Sequence, residues 1–304
     1  MGYQVRSLAA VSDSDRNKRD HALNVLWFDP DACADPERSG LDRQRQFPGG
    51  DSAVAARSAW DDSDAAFLGF KAGDDRTDHG ALDVGTFVFD VGGVRWATDL
   101  GSNDYSLPGY WDMDAGRWRY YRKRAEGHDT LVVDPDGEPD QDPTASCPLV
   151  RVEAGDDAVL AMADLSPAYP GASVERGVGL VDGRSRLVVR DEIEADGADV
   201  WWFLHTETGV DADGPAAALE GDGRRMRAAI ASPADAAFEM RDRAAAVLAR
   251  PDGGNARRGR LQARRPARRR RDDDADGRTG ARFRPGGDSV ALSEWSVDGT
   301  LGPE

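Results

Sequence analysis

The chain of 304 residues carries four histidines, at positions 21, 79, 128 and 205, and two of them have neighbours that could put an imidazole to use. His79 sits in TDHGALD, directly before a run that alternates like a β-strand, and His128 closes RWRYYRKRAEGH. Imidazole titrates near neutral pH, so a histidine held in a cleft can move a proton or ligate a metal. The segment before His128 interleaves Arg117, Arg119, Arg122 and Arg124 with Trp118, Tyr120 and Tyr121. Guanidinium forks pair carboxylates or sulfates, and flat rings lie against sugar faces, which makes Arg122, Arg124, Tyr120 and Tyr121 candidates for holding an acidic carbohydrate. An edge strand with a solvated basic face has the same composition. His21 falls among charges in a helical pattern, and His205 falls among aromatic strand residues, where a packed and hydrogen-bonded histidine is the ordinary reading.

The elements that must position these residues read as strands. TFVFDVGGVRWATDL alternates on both sides of Gly92-Gly93, a pair suited to a two-residue hairpin turn because glycine accepts positive φ at both places. Strict alternation then pairs Val91 with Val94 and Thr86 with Asp99, and brings Asp99 to the end from which Asp78-His79-Gly80 enters. Further strands are predicted at 130–134, 158–165, 173–181, 185–193 and 199–207, with Asp182-Gly183 as a second hairpin signal. The expected fold is mainly β, a large antiparallel multi-sheet β-sandwich with a short N-terminal helical remnant. Residues 12–29 give the helix, stopped by Pro30, and residues 30–50 read as a linker with a boundary near 46. The division is therefore a helical remnant and linker over 1–46, a β domain over 47–250, and an arginine-rich tail over 251–304. That tail reads as disordered or sequence-damaged and ends in a possible strand.

Acidic residues outnumber basic ones by 56 to 39, for a formal charge of -17, which argues against nucleic acid or an anionic membrane as partner. Lysine is nearly absent, at positions 18, 71 and 123, while aspartate is spread along the whole chain. Dense carboxylates of this kind suit a protein working in high salt, although a GC-rich genome gives part of the same bias. Cys33 and Cys147 are too few for a disulfide framework. No apolar run reaches transmembrane length and the first residues lack the apolar centre of a signal peptide, so a cytoplasmic location is the default expectation.

FLGFKAGDDRTDHGALDVGTFVFDVGGVRWATDLGSNDYSLPGYWD, followed by RWRYYRKRAEGHDTLVVDP, resembles the β-sheet domain of the heparinase II/III-like family of polysaccharide lyases, from about Ala53 to about Thr208. The resemblance implies an antiparallel β domain that packs against an N-terminal (α/α) toroid, with an acidic polysaccharide cleaved between them by β-elimination. That chemistry takes the C5 proton beside a uronate carboxylate, so it needs a base, groups that hold the enolate-like charge, and an acid for the leaving oxygen. By the same resemblance His79 is the catalytic histidine of the β domain, and Asp99 and His128 correspond to ligands of a structural zinc. The second histidine of the family's H-x-H is Ala81 here, and Asp129 replaces the asparagine of its G-H-N-T. Two protein ligands would hold zinc poorly unless Asp78, Asp83 or Asp104 substitutes. The family's tyrosine base belongs to the toroid, so this chain is expected to need a separate toroid chain. A non-catalytic module binding acidic glycans and an inactive truncated fragment are the alternatives.

Overall fold

The computed structural model describes residues 41–114, 116–134, 140–195, 198–233, 236–242 and 259–264. The helix expected at 12–29 and most of the tail lie outside the described residues. Three strands, β1 (Gln44–Phe47), β2 (Ala53–Arg57) and β3 (Phe67–Lys71), pair in series. The chain then makes β4 (Gly73–Asp74) and returns through β5 (Phe87–Val91) and β6 (Val94–Ala97), which complete a five-stranded antiparallel sheet in the order β1-β2-β3-β5-β6. Next come β7 (Leu131–Val133) and β8 (Ser146–Cys147), the latter pairing with β4. A four-stranded sheet follows, built from β9 (Leu149–Ala154), β10 (Val159–Asp164), β11 (Ala172–Val181) and β12 (Arg186–Ala195). Strand β13 (Val200–Thr206) pairs with β7, and β14 (Gly209–Asp213), β15 (Ala216–Gly221) and β16 (Arg224–Ala229) form a three-stranded meander. Finally β17 (Ala237–Asp242) and β18 (Gly259–Arg264) extend the β13 sheet in the order β17-β18-β13-β7. Among the described residues no helix is long and apolar enough to cross a membrane.

Alternation sets which side chains are buried. Val54 and Ala56 of β2, Leu68 and Phe70 of β3, and Phe87 and Phe89 of β5 share one core with Val159 and Ala161 of β10 and Val178 and Leu180 of β11. Strand β10 is buried on its other side as well, where Leu160 and Met162 pack with Ala158 and Val181. A strand covered on both faces reads as an unbroken apolar run, and VLAMA is one. The mainly β, antiparallel, multi-sheet architecture expected from the sequence is the one observed.

Three details differ from the expectation. The Gly92-Gly93 turn forms, with φ of +66° and +73°, and Val91 pairs with Val94. One step further the register shifts: Asp90 pairs with Arg95 but Phe89 pairs with Ala97, so Trp96 is the extra residue of a bulge and Thr86 does not face Asp99. The bulge keeps both Trp96 and Ala97 buried, and the Trp96 indole N–H donates to the Val91 carbonyl at 2.9 Å. Beyond it Thr98 N–H donates to the His205 carbonyl at 2.9 Å, which carries the chain off its own sheet toward β13. In the segment read as a linker, Gln44–Phe47 is strand β1, paired with Ala53–Ala56. In the arginine block, Gly259–Arg264 is strand β18, with Leu261 opposite Leu204; its Gly-Arg-Leu-Gln-Ala-Arg alternation is a short strand signal hidden by the surrounding charge.

Two buried arginines bolt these layers together. Arg176 on β11 is fully buried and forms a two-point ion pair with Asp191, at 2.6 and 2.9 Å, while its other amino group donates to the carbonyls of Gly85 at 2.8 Å and Asp129 at 3.2 Å. Arg184, in the β11–β12 loop, donates to the carbonyls of Arg57 and Gly155 and to the Gln44 side chain. Replacing Arg176 by Met strands a largely covered carboxylate and two carbonyls, a change expected to cost about 3 kcal/mol. The urea unfolding midpoint of R176M reports it, and a loss below about 1 kcal/mol would show that the guanidinium is not a principal tie.

Candidate functional site

His79 lies in the loop between β4 and β5, and that loop is fixed from beneath. The buried Asp75 carboxylate accepts from the N–H groups of Asp83 at 3.1 Å and Val84 at 3.4 Å, closing the loop on itself. Gly80 has no room for a side chain, because a Cβ there would stand 2.6 Å from the Asp75 carbonyl oxygen. Two buried cations then grip three successive carbonyls. Arg117 donates to Asp78 O at 3.0 Å and to Gly80 O at 2.6 Å, and the Lys123 ammonium donates to His79 O at 2.8 Å and Gly80 O at 3.0 Å. With those carbonyls held by buried groups, the His79 side chain is left exposed, its ring centroid 5.8 Å from Tyr105 and 5.2 Å from Trp111.

The imidazole opens on a cavity of about 600 Å³ whose wall also includes Asp99, Tyr105, Arg122, Lys123 and His128. The Lys71–Asp83 ion pair and Ala81 lie on the same wall. Burial drives the Lys123 ammonium down to about 8, with the neighbouring Arg117 charge acting in the same direction. Burial also drives the Asp75 carboxyl up to about 7, reinforced by Asp83 and only partly opposed by Lys71. Burial opposes charge on His128 too, but there the Asp99 hydrogen bond and the Asp83 and Asp99 charges outweigh it and raise its affinity for a proton. Asp99 is correspondingly pulled well below the usual carboxylate range, the His128 contact overcoming the cost of burial.

The residues singled out from the sequence separate into two groups. His79, Asp99, His128 and Arg122 meet at the cavity. Arg124, Tyr120 and Tyr121 do not line it, and each is bound within the protein. Arg124 pairs at two points with the buried Asp140, at 3.1 and 2.6 Å; Tyr120 donates to Pro108 O at 2.5 Å; and the Tyr121 hydroxyl contacts His205 Nε2 at 2.9 Å. His205 is buried, and its Nδ1 lies 2.9 Å from Asp129 Oδ1. The cause is local geometry: Tyr121–Lys123 is a 3-10 turn in which successive side chains diverge by about 120°, and Tyr120 and Arg124 flank it with extended backbone. Arg122 therefore reaches Leu100 O and Ser102 O, Lys123 reaches the His79 loop, and Arg124 reaches Asp140. Lys71, Lys123, Tyr105 and Trp111 had no separate signal in the sequence; the scarcity of lysine was the one available clue, as two of the three lysines stand at this cavity.

Two of the positions matched to a structural zinc contact each other. Asp99 Oδ2 meets His128 Nδ1 at 2.9 Å while His128 Nε2 faces the Arg122 carbonyl at 3.2 Å, so both ring nitrogens are engaged with acceptors. The third position is Ala81; of the substitutes, Asp83 is taken by Lys71 and Asp104 by the Ser106 N–H and hydroxyl, while Asp78 is exposed on the cavity wall. Metal analysis of the purified chain is accordingly expected to find zinc well below one per chain, with EDTA leaving the unfolding midpoint unmoved. Stoichiometric zinc would mean that Asp99 and His128 part to bind it.

The Asp75 carboxyl gives a pH signature. Its folded affinity for a proton, near pH 7, exceeds the ordinary value of 3.8, so it contributes stability that is complete below about pH 4 and is lost as pH rises through about 7. D75N is expected to flatten the stability–pH curve between those limits, measured by urea midpoints at successive pH values; an unchanged slope would assign the titration to another group.

Comparison with protein families matches residues 44–292 to "Heparinase II/III-like, C-terminal". Among solved structures, the heparan sulfate lyase HepC from Pedobacter heparinus superposes with a TM-score of 0.60 at 15% identity, covering 88% of this chain and 39% of that one. A second, described as the heparinase III BT4657 gene product, gives a TM-score of 0.57 at 18% identity and covers 74% of this chain and 34% of that one. The chain thus spans less than half the length of either protein, and at these identities the likeness is one of fold. No curated protein sequence matches the chain. The family match extends over most of the chain, including the segment that carries His79, Asp99 and His128, and the chain belongs to the heparinase II/III-like C-terminal family.

Proposed function

We propose that this domain binds a uronate-containing acidic polysaccharide at the His79 cavity and supplies His79 to its β-elimination, together with an (α/α) toroid that provides the proton-abstracting tyrosine. The observation that carries the reading is the clamp of Arg117 and Lys123, which holds the His79 backbone and leaves the imidazole exposed at a cavity lined by both cations and carboxylates. In the elimination, the C5–H bond breaks and its electrons form the C4=C5 double bond as the C4–O bond cleaves. The imidazole is placed to exchange a proton with the reacting sugar, while Arg122 and Lys71 favour a carboxylate nearby. A second reading, an acidic-glycan-binding module without catalysis, is favoured by the prior engagement of Lys71 with Asp83 and of Lys123 with loop carbonyls.

The test is ultraviolet absorbance of the unsaturated uronate product in high salt, with the chain alone and with a family toroid domain in trans, against a panel of uronate polysaccharides. Product is expected when the toroid is present, falling by about 10²-fold or more in H79A. Activity that survives H79A would remove the histidine from the chemistry, and binding without product would select the second reading.

A further inference from the structure

Two of the large apolar side chains exposed among the described residues stand side by side next to His79: Tyr105, on the cavity wall, and Trp111, against both rings, each 48% exposed. Neither is free to swing. The Trp111 indole N–H donates to the Tyr105 carbonyl at 3.1 Å, the two rings meet edge to face at 5.1 Å, and the buried Tyr110 ring closes on the indole at 5.4 Å. From within, the Arg117 guanidinium lies 5.8 Å from the indole centroid, and His79 stands at right angles to it at 5.2 Å. The cation that holds the His79 backbone thus also backs the indole. A rigid indole kept half in water beside a polar cavity gives up burial that a folded chain would otherwise use, and such a patch marks a ligand surface.

The occupant is defined by what adjoins the patch. Lys71, Arg122 and Lys123 lie on the cavity wall with Tyr105, and of the four aspartates there Asp83 is paired with Lys71 and Asp99 with His128, in a chain whose net charge of -17 otherwise repels anions. A ligand that needs both a flat apolar face and a carboxylate partner is a uronate pyranose, whose axial C–H face can lie on a ring while its carboxylate turns to a cation. We infer that Trp111, braced by Tyr105, is the stacking platform for the sugar residue next to the one at His79, and so fixes the register in which the polymer crosses the histidine. This rests on the acidic-polysaccharide reading above.

The experiment is calorimetric titration in high salt with two defined probes, a tetrasaccharide of alternating glucuronate and N-acetylglucosamine and a tetramannuronate, for the wild-type chain, W111A and W111F. The indole N–H resonance of Trp111, assigned by its loss in W111F, is followed in parallel. The inference expects a probe to bind the wild type and shift that resonance, W111A to bind roughly three- to tenfold more weakly, and W111F to recover most of the loss. The unfolding midpoint of W111A establishes that the variant is folded; should it fail to fold, W111F and the resonance shift decide alone. Binding with an unmoved resonance or an unchanged W111A affinity overturns the platform and leaves the polysaccharide reading standing. No binding of either probe by the wild type overturns both.

Discussion

Buried cations donating to main-chain carbonyls are the interaction on which this structure depends. A protein made of short strands must pass through many loops, and each loop that dips inward carries carbonyls without ladder partners, at a cost of about 1–3 kcal/mol apiece if left unpaired. Arginine and lysine settle several at once from a single side chain. Arg176 joins β11 to the residues leading into β5 and β7, Arg184 joins the β11–β12 loop to β1 and β2, and Arg117 with Lys123 secures the loop that carries His79. The arrangement has a local cost, since the Nε atoms of Arg117 and Arg184 are buried with no partner.

The Asp99–His128 contact extends the same logic to the other wall of the cavity. Asp99 follows the bulged end of β6, and its carboxylate accepts from Gly101 N–H as well as facing His128, so one side chain shapes its own turn and anchors it to the segment before β7. Arg122 completes the brace by donating to Leu100 O and Ser102 O. Ion pairs and hydrogen bonds of this kind hold these loops in register.

Much of this was legible in the sequence, for identifiable reasons. The Gly92-Gly93 turn and the period-2 runs announce an antiparallel β protein, because both are strictly local signals. The convergence of His79, Asp99 and His128 followed from hairpin geometry and from the resemblance, even though the Thr86–Asp99 register was off by the Trp96 bulge, which alternation cannot reveal. The division of labour within WRYYRKR was not legible. Side chains on a 3-10 turn fan out in three directions, so composition marks the segment as basic and aromatic without saying that Arg124 and Tyr121 turn into the protein while Arg122 and Lys123 reach the cavity wall. Nor could it say that Tyr105 and Trp111 would stand exposed against His79. Strand β18 was masked by the surrounding arginines.

The clamp on Asp78, His79 and Gly80 touches main-chain atoms alone. Where residue 79 sits is therefore written into positions 117 and 123, and the identity of residue 79 itself is left open. The loop behaves as a socket: it would present an unnatural imidazole, a glutamate or a cysteine from the same place as the histidine. Loop position and side chain are encoded by different residues, so the group presented here can be exchanged, by selection or by design, without rebuilding the fold that holds it.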